Sequence, residues 1–182
     1  MINYSGTKKS PFNIVFGAIV FLVIGSLLFK PVLRCFFSVK YINIIQKYSN
    51  EYNIDKYLVM AIIRTESKFK EDAVSSKGAR GLMQLKEDTA AWCMEKYGIP
   101  SDADITDPET NIRTGCAYMH YLLEKFKSEK IAVAAYNAGE GNVAKWLEQQ
   151  DDKSHLDVIP FEETRNYVEL VQKREKIYRF LY

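Results

Sequence analysis

Apolar positions recur along nearly the whole chain, and their spacing divides it. The first and longest run covers residues 12–29, where only Asn13 and Ser26 are neither apolar nor small and Pro11 and Lys30 stand at the ends. A helix of this length spans about 27 Å, close to the hydrocarbon thickness of a bilayer. The alternative is a cleaved signal peptide with Lys8 and Lys9 as its basic segment. Against it, the run is long, no small-x-small site follows, and Leu33-Arg34-Cys35 lacks the small residues that a lipoprotein signal needs. The pattern therefore predicts a short basic segment (1–11), an uncleaved transmembrane anchor (12–29), a juxtamembrane linker (30–38) and a folded domain (39–182). Lys8 and Lys9 before the span are balanced by Lys30, Arg34 and Lys40 after it, so flanking charge does not set the orientation.

Beyond the anchor the period is helical throughout. Tyr41, Ile44, Ile45 and Tyr48 form one stripe of a helix over Val39–Tyr52. Asp55 is placed to cap a second helix through about Phe69, on which Leu58, Ile62, Glu66 and Phe69 share a face. A loop from Ser75 to Gly81 precedes a helix predicted over Leu82–Tyr97 and stopped by Gly98 and Pro100. Asp107-Pro108-Glu109 starts a long helix to about Phe126 with Ile112, Cys116, Met119 and Leu123 on one side. A helix over Glu129–Tyr136, a break at residues 137–141 and a short helix carrying Val143, Trp146 and Leu147 follow. After a polar loop over Gln149–His155, Ile159-Pro160 leads into a last helix from about Glu162 to Arg179, with Tyr167, Leu170, Val171 and Ile177 apolar. No segment alternates with the period of a strand. The chain reads as all-α, with about seven helices outside the membrane.

Charge removes one class of function. Lys8, Lys9 and Lys30 precede the first acidic residue, and the other 22 of the 25 basic residues face 23 acidic ones, so the domain is almost neutral and lacks the basic stripe that nucleic acid requires. Cys35, Cys93 and Cys116 are too few for a disulfide scaffold or zinc ribbon. Cys116 and His120 share a helix face without a second close pair, so no metal and no cofactor is expected. Buried free thiols are the default; a Cys93–Cys116 bridge is the alternative outside the cell. There is no Gly-x-Ser-x-Gly elbow, phosphate-cradling loop or dinucleotide fingerprint.

Glu66 is the chemically odd position. A carboxyl on an inward-facing stripe loses hydration, which raises its pKa and lets it donate a proton near neutral pH. The bland reading is an exposed ion pair with Lys70 at i, i+4, worth a few tenths of a kcal/mol.

Four segments then matter together: residues 61–69 (AIIRTESKF), Ser75 through Gly81-Leu82-Met83-Gln84-Leu85, Ala135-Tyr136-Asn137-Ala138-Gly139, and residues 159–168 (IPFEETRNYV). In this order they resemble the motifs of the soluble lytic transglycosylase-type domain, which is related to goose-type lysozyme, and they span most of the chain from about Tyr41. The resemblance implies an all-α, lysozyme-like helical domain that cleaves the β-1,4 bond between N-acetylmuramic acid and N-acetylglucosamine in peptidoglycan. It implies Glu66 as general acid and then base, with the muramoyl C6 hydroxyl attacking its own anomeric carbon to give a 1,6-anhydro product. Ser75, Gln84, Tyr136 and Asn137 match positions lining the family's sugar groove, although Tyr136 also suits a core. Glu163 matches the acid of a Glu-Thr-Arg motif near the groove, or else complements a helix dipole. Ser67 either orients Glu66 or caps nearby backbone.

Two departures border the expected groove. Lys86, Glu87 and Asp88 stand where many relatives have an apolar residue and proline before Thr-Ala, and Glu140 stands where proline is frequent. The expected partners are glycan strands and, through residues 12–29, a cytoplasmic membrane, with the domain on its outer side where the substrate lies. A lysozyme-like muramidase using water and a non-catalytic glycan-binding or assembly module are the rival functions.

Overall fold

The computed structural model describes residues 21, 25, 27–150 and 156–182. They fall into two compact units that part between Ser38 and Val39. In the first, residues 27–36 are helical. Among the described residues no helix is long and apolar enough to cross a membrane, and most of the predicted anchor, residues 12–29, lies outside them.

Among its described residues the second unit contains seven helices: α1 (Ile42–Glu51), α2 (Lys56–Glu66), α3 (Glu87–Tyr97), α4 (Pro108–Phe126), α5 (Glu129–Ala138), α6 (Glu140–Glu148) and α7 (Glu162–Leu181). Strand pairing among the described residues is limited to two isolated bridges, Val74 with Arg80 and Arg80 with Leu85. Local signals set several ends as expected. The Asp55 carboxylate accepts from the Tyr57 amide at 2.7 Å, and that of Asp107 accepts from the Thr110 amide at 2.9 Å with proline following. Each satisfies an amide that the first helical turn leaves without a partner.

The central element is α4, which packs against α1, α3 and α5. Ile112, Met119 and Leu122 on α4 belong, with Ile45, Leu58, Ile62 and Ile131, to a core in which each is at most 1% exposed. Cys93 and Cys116 are free and buried within it, and burial raises both thiol pKa values, so they behave as small apolar side chains.

Two helix ends and one helix face differ from the apolar pattern. α2 stops at Glu66 because Lys68 (φ 55°) and Phe69 (φ 65°) turn left-handed. The helix expected from Leu82 begins only at Glu87, since Gly81 (φ 78°) and Gln84 (φ 49°) hold residues 80–85 in a tight bridged turn. On α7 the buried stripe runs through Thr164, Tyr167, Val168, Val171 and Tyr178, while Leu170 is 39% exposed.

The turn at 80–85 is held by a side chain on the central helix. Asn111, fully buried, accepts from the Met83 amide at 2.7 Å and donates to the carbonyls of Arg80 at 3.1 Å and Ile105 at 2.8 Å. Gly81 permits this approach: a Cβ there would lie 2.2 Å from the Asn111 amide nitrogen. Asn111→Ala leaves buried backbone groups without partners, each costing about 1–3 kcal/mol. The expected loss is about 3–5 kcal/mol, read as a lowered urea midpoint with an unchanged m-value.

Candidate active site

Four segments meet around a groove of about 290 Å³. The C-terminus of α2 supplies Glu66, the loop to α3 supplies Ser75 and Gln84, the end of α5 supplies Tyr136 and Asn137, and the start of α7 supplies Glu163. Six of the seven residues singled out in the sequence therefore line one concavity. Ser67 does not. It is 5% exposed, and its hydroxyl donates to the Ile63 carbonyl at 3.2 Å and accepts from the Phe69 amide at 3.1 Å. Ser67 thus secures the left-handed exit from α2, which fixes Glu66 at the last helical position.

Glu66 is half-buried and receives a 2.6 Å hydrogen bond from the Tyr167 hydroxyl. Burial pushes its pKa from 4.5 up to about 7, the Tyr167 bond opposes that rise, and the negative charge of Glu163 adds to it. The carboxyl can therefore hold a proton at neutral pH and still be received by a donor once it has lost it. No Glu66–Lys70 ion pair is part of this arrangement.

The other lining groups are set by bonds to the protein, which decide what they can offer a ligand. Ser75 ties the loop through its Oγ, which accepts from the Ala79 amide at 3.0 Å. Gln84 uses both amide hydrogens, on the carbonyls of Ala73 and Gly81, each at 2.9 Å, so its carbonyl oxygen is the end left to accept. Tyr136 donates its only hydroxyl hydrogen to the Met83 carbonyl at 2.8 Å, leaving an acceptor oxygen. Asn137 accepts from Thr164 at 2.8 Å, so its NH2 group is the donor. The wall therefore offers a fixed mix of acceptors and donors suited to hydroxyl and acetamido groups.

The Glu-Thr-Arg segment has three separate tasks. Glu163 stands at the rim, 3.9 Å from Lys77, with both side chains about three-quarters exposed. Thr164, 1% exposed, holds Asn137, and Arg165 donates to the carbonyls of Ile159 at 2.6 Å and Pro160 at 3.0 Å, fixing the chain that enters α7.

Tyr167 is a residue that sequence reasoning missed, having been assigned to the apolar stripe of α7. Its position four residues after Glu163 was the available signal, since that spacing returns to the same helix face. Tyr118, another lining residue, was also missed.

Comparison with known proteins supplies the family. Residues 43–159 match the family described as the transglycosylase SLT domain. The soluble lytic murein transglycosylase of Escherichia coli (strain K12) is 36% identical over 152 residues, which are 79% of this chain and 24% of that protein. Membrane-bound lytic murein transglycosylase C of Edwardsiella ictaluri is 33% identical over 168 residues, 77% of this chain and 46% of that protein. Among solved structures, an inactive mutant of the lytic transglycosylase Slt from Pseudomonas aeruginosa superposes with a TM-score of 0.74 at 35% identity, covering 80% of this chain and 25% of that one. The soluble lytic transglycosylase of Escherichia coli gives a TM-score of 0.74 at 35% identity, covering 79% and 25%. The chain spans about a quarter of the length of these soluble relatives and about half of the membrane-bound one. With well over half of its residues matching that family and its fold superposing on solved relatives, the chain belongs to the transglycosylase SLT domain family.

Proposed function

We propose that this protein is a peptidoglycan lytic transglycosylase that cleaves the β-1,4 bond between N-acetylmuramic acid and N-acetylglucosamine. The observation that carries the reading is a single half-buried carboxyl, Glu66, with its pKa near 7, in a groove of fixed hydrogen-bonding groups. Protonated Glu66 gives its proton to the leaving glycosidic oxygen as the C1–O bond breaks. The resulting carboxylate, held by the Tyr167 hydroxyl, takes the proton of the muramoyl C6 hydroxyl as that oxygen bonds to C1. A 1,6-anhydro ring closes, and Glu66 ends the cycle protonated.

A hydrolytic glycosidase needs a second carboxylate to attack the sugar or activate water. The other acid in the groove, Glu163, is exposed at the rim beside Lys77, a poor setting for either task. The intramolecular hydroxyl replaces it, with the advantage of a nucleophile already near the reacting carbon. In this reading Ser75, Gln84, Tyr136 and Asn137 bind the sugar, and Ser67 acts only through the backbone.

Residues 12–29 serve as a single-pass anchor, 30–38 as the tether and 39–182 as the catalytic domain outside the cytoplasmic membrane. The apolar run supports this, as does the likeness to a protein named as membrane-bound. Product mass is the test. The full chain incubated with purified peptidoglycan is expected to release muropeptides one water lighter than hydrolytic products; reducing-end products alone establish a muramidase instead.

A further inference from the structure

Beyond the groove, two helix faces carry its wall onward. At the start of α3 the groove is bordered by Lys86, which precedes the helix, and by Thr89, and the face of Thr89 continues three and seven residues on with Trp92 and Lys96. On α4 the groove residue is Tyr118, and at the same spacings follow Tyr121 and Lys125. The two helices pack together, so the rows run side by side.

Their aromatic rings form an unbroken series. Tyr136 lies 5.4 Å from Tyr118 between centroids, Tyr118 lies 6.5 Å from both Tyr121 and Trp92, and Trp92 meets Tyr121 edge-on at 4.7 Å. The Lys96 ammonium stands 5.3 Å from the centroids of both Trp92 and Tyr121, which holds the two rings in place. On the other side Glu140 accepts from Tyr121 at 2.8 Å and from Lys125 at 2.6 Å. The residue that stands where proline is frequent in the family thus has a definite task here: it fixes Tyr121.

Packing alone does not account for Trp92. Its indole is 38% exposed, whereas the other tryptophan, Trp146, is 7% exposed against Phe161. A large aromatic surface left open, immobilised from two sides and continuous with a polar groove is the arrangement that holds a sugar. The equatorial substituents of a β-1,4-linked hexosamine leave C–H groups on the ring faces, and those faces gain by covering an aromatic ring.

The geometry points to a further saccharide subsite on Trp92 and Tyr121, which takes an additional N-acetylated hexosamine of the same glycan strand outside the groove. This rests on the peptidoglycan reading above and deepens it: the enzyme prefers strands long enough to reach from Glu66 to Trp92. Trp92 is a binding residue in this account and takes no part in proton transfer.

The test measures binding without cleavage, in full-length protein carrying Glu66→Gln. Uncrosslinked glycan strands of two and of six disaccharides are titrated by calorimetry. Trp92→Ala is expected to weaken binding of the long strand about tenfold and to leave the short strand unchanged. Trp92→Leu, which keeps apolar volume without a planar face, is expected to do the same and serves if the alanine variant is unstable. Equal affinity of parent and variant for the long strand overturns the subsite, as does an equal loss for both lengths. If neither strand binds the parent protein, the peptidoglycan reading falls and the subsite with it.

Discussion

Replacing Glu66 with glutamine is expected to abolish release of anhydromuropeptides while making the folded protein more stable above neutral pH. A general acid and base contributes about 100- to 10,000-fold to a rate, and here one group does both, so the loss should lie at or beyond the upper end. The stability gain follows from the same burial. In the unfolded chain Glu66 loses its proton near 4.5, whereas in the folded protein it holds it to about 7. Between these values the folded state binds more protons than the unfolded one, so the stability contributed by this group falls as pH rises from about 4.5 and levels off above about 7. At pH 8 the ionised carboxylate costs the fold about 3 kcal/mol, taking 1.36 kcal/mol per unit. Glutamine is neutral at every pH and still accepts from Tyr167. Urea unfolding should show Glu66→Gln more stable at pH 8 by about 2–3 kcal/mol, with little difference at pH 4. A Glu66→Gln protein that shows this stability profile and still releases anhydromuropeptides at the parent rate removes Glu66 from the chemistry.

The helical architecture was legible because α2, α4 and α7 each start at a recognisable signal and bury one face. The stripe through Leu58, Ile62 and Glu66 is visible in 3.6-residue periodicity, and six of the seven residues singled out in the ordered motifs line the groove. What stayed hidden depends on contacts between distant segments. The phenol of Tyr167 meets Glu66 across 101 residues, and its ring is apolar enough to pass for core until the hydroxyl partner is seen. Asn111 sits on the buried stripe of α4, and its three backbone partners come from other loops. The start of α3 was misplaced for the same reason. Leu82, Met83 and Leu85 are all buried, which reads as helix, but a bridged turn pinned by Asn111 buries them just as well. Gln84 shows a subtler limit. It lines the groove, but the end of the amide that faces a ligand is decided by hydrogen bonds to Ala73 and Gly81.

Tyr167→Phe provides a separable test of how the acid is tuned. The hydroxyl bond favours the charged carboxylate and so lowers the Glu66 pKa against the effect of burial. Without it, the pKa rises above its present value near 7. The protonated form then survives to higher pH, and the alkaline limb of kcat/KM is expected to move upward. The plateau should nevertheless fall by about 10- to 100-fold, because the carboxylate formed as the glycosidic bond breaks loses a charge-assisted hydrogen bond. These two effects have opposite signs at high pH, which is what identifies the role: a phenol that merely packs α7 against α2 would lower activity equally across the profile. The wild-type profile carries further information. With one carboxyl as both acid and base and the nucleophile supplied by the substrate, kcat/KM should fall only on the alkaline side, around pH 7. A second, acidic limb that disappears in Glu163→Gln would instead mark Glu163 as a base for water, and hydrolysis as the reaction.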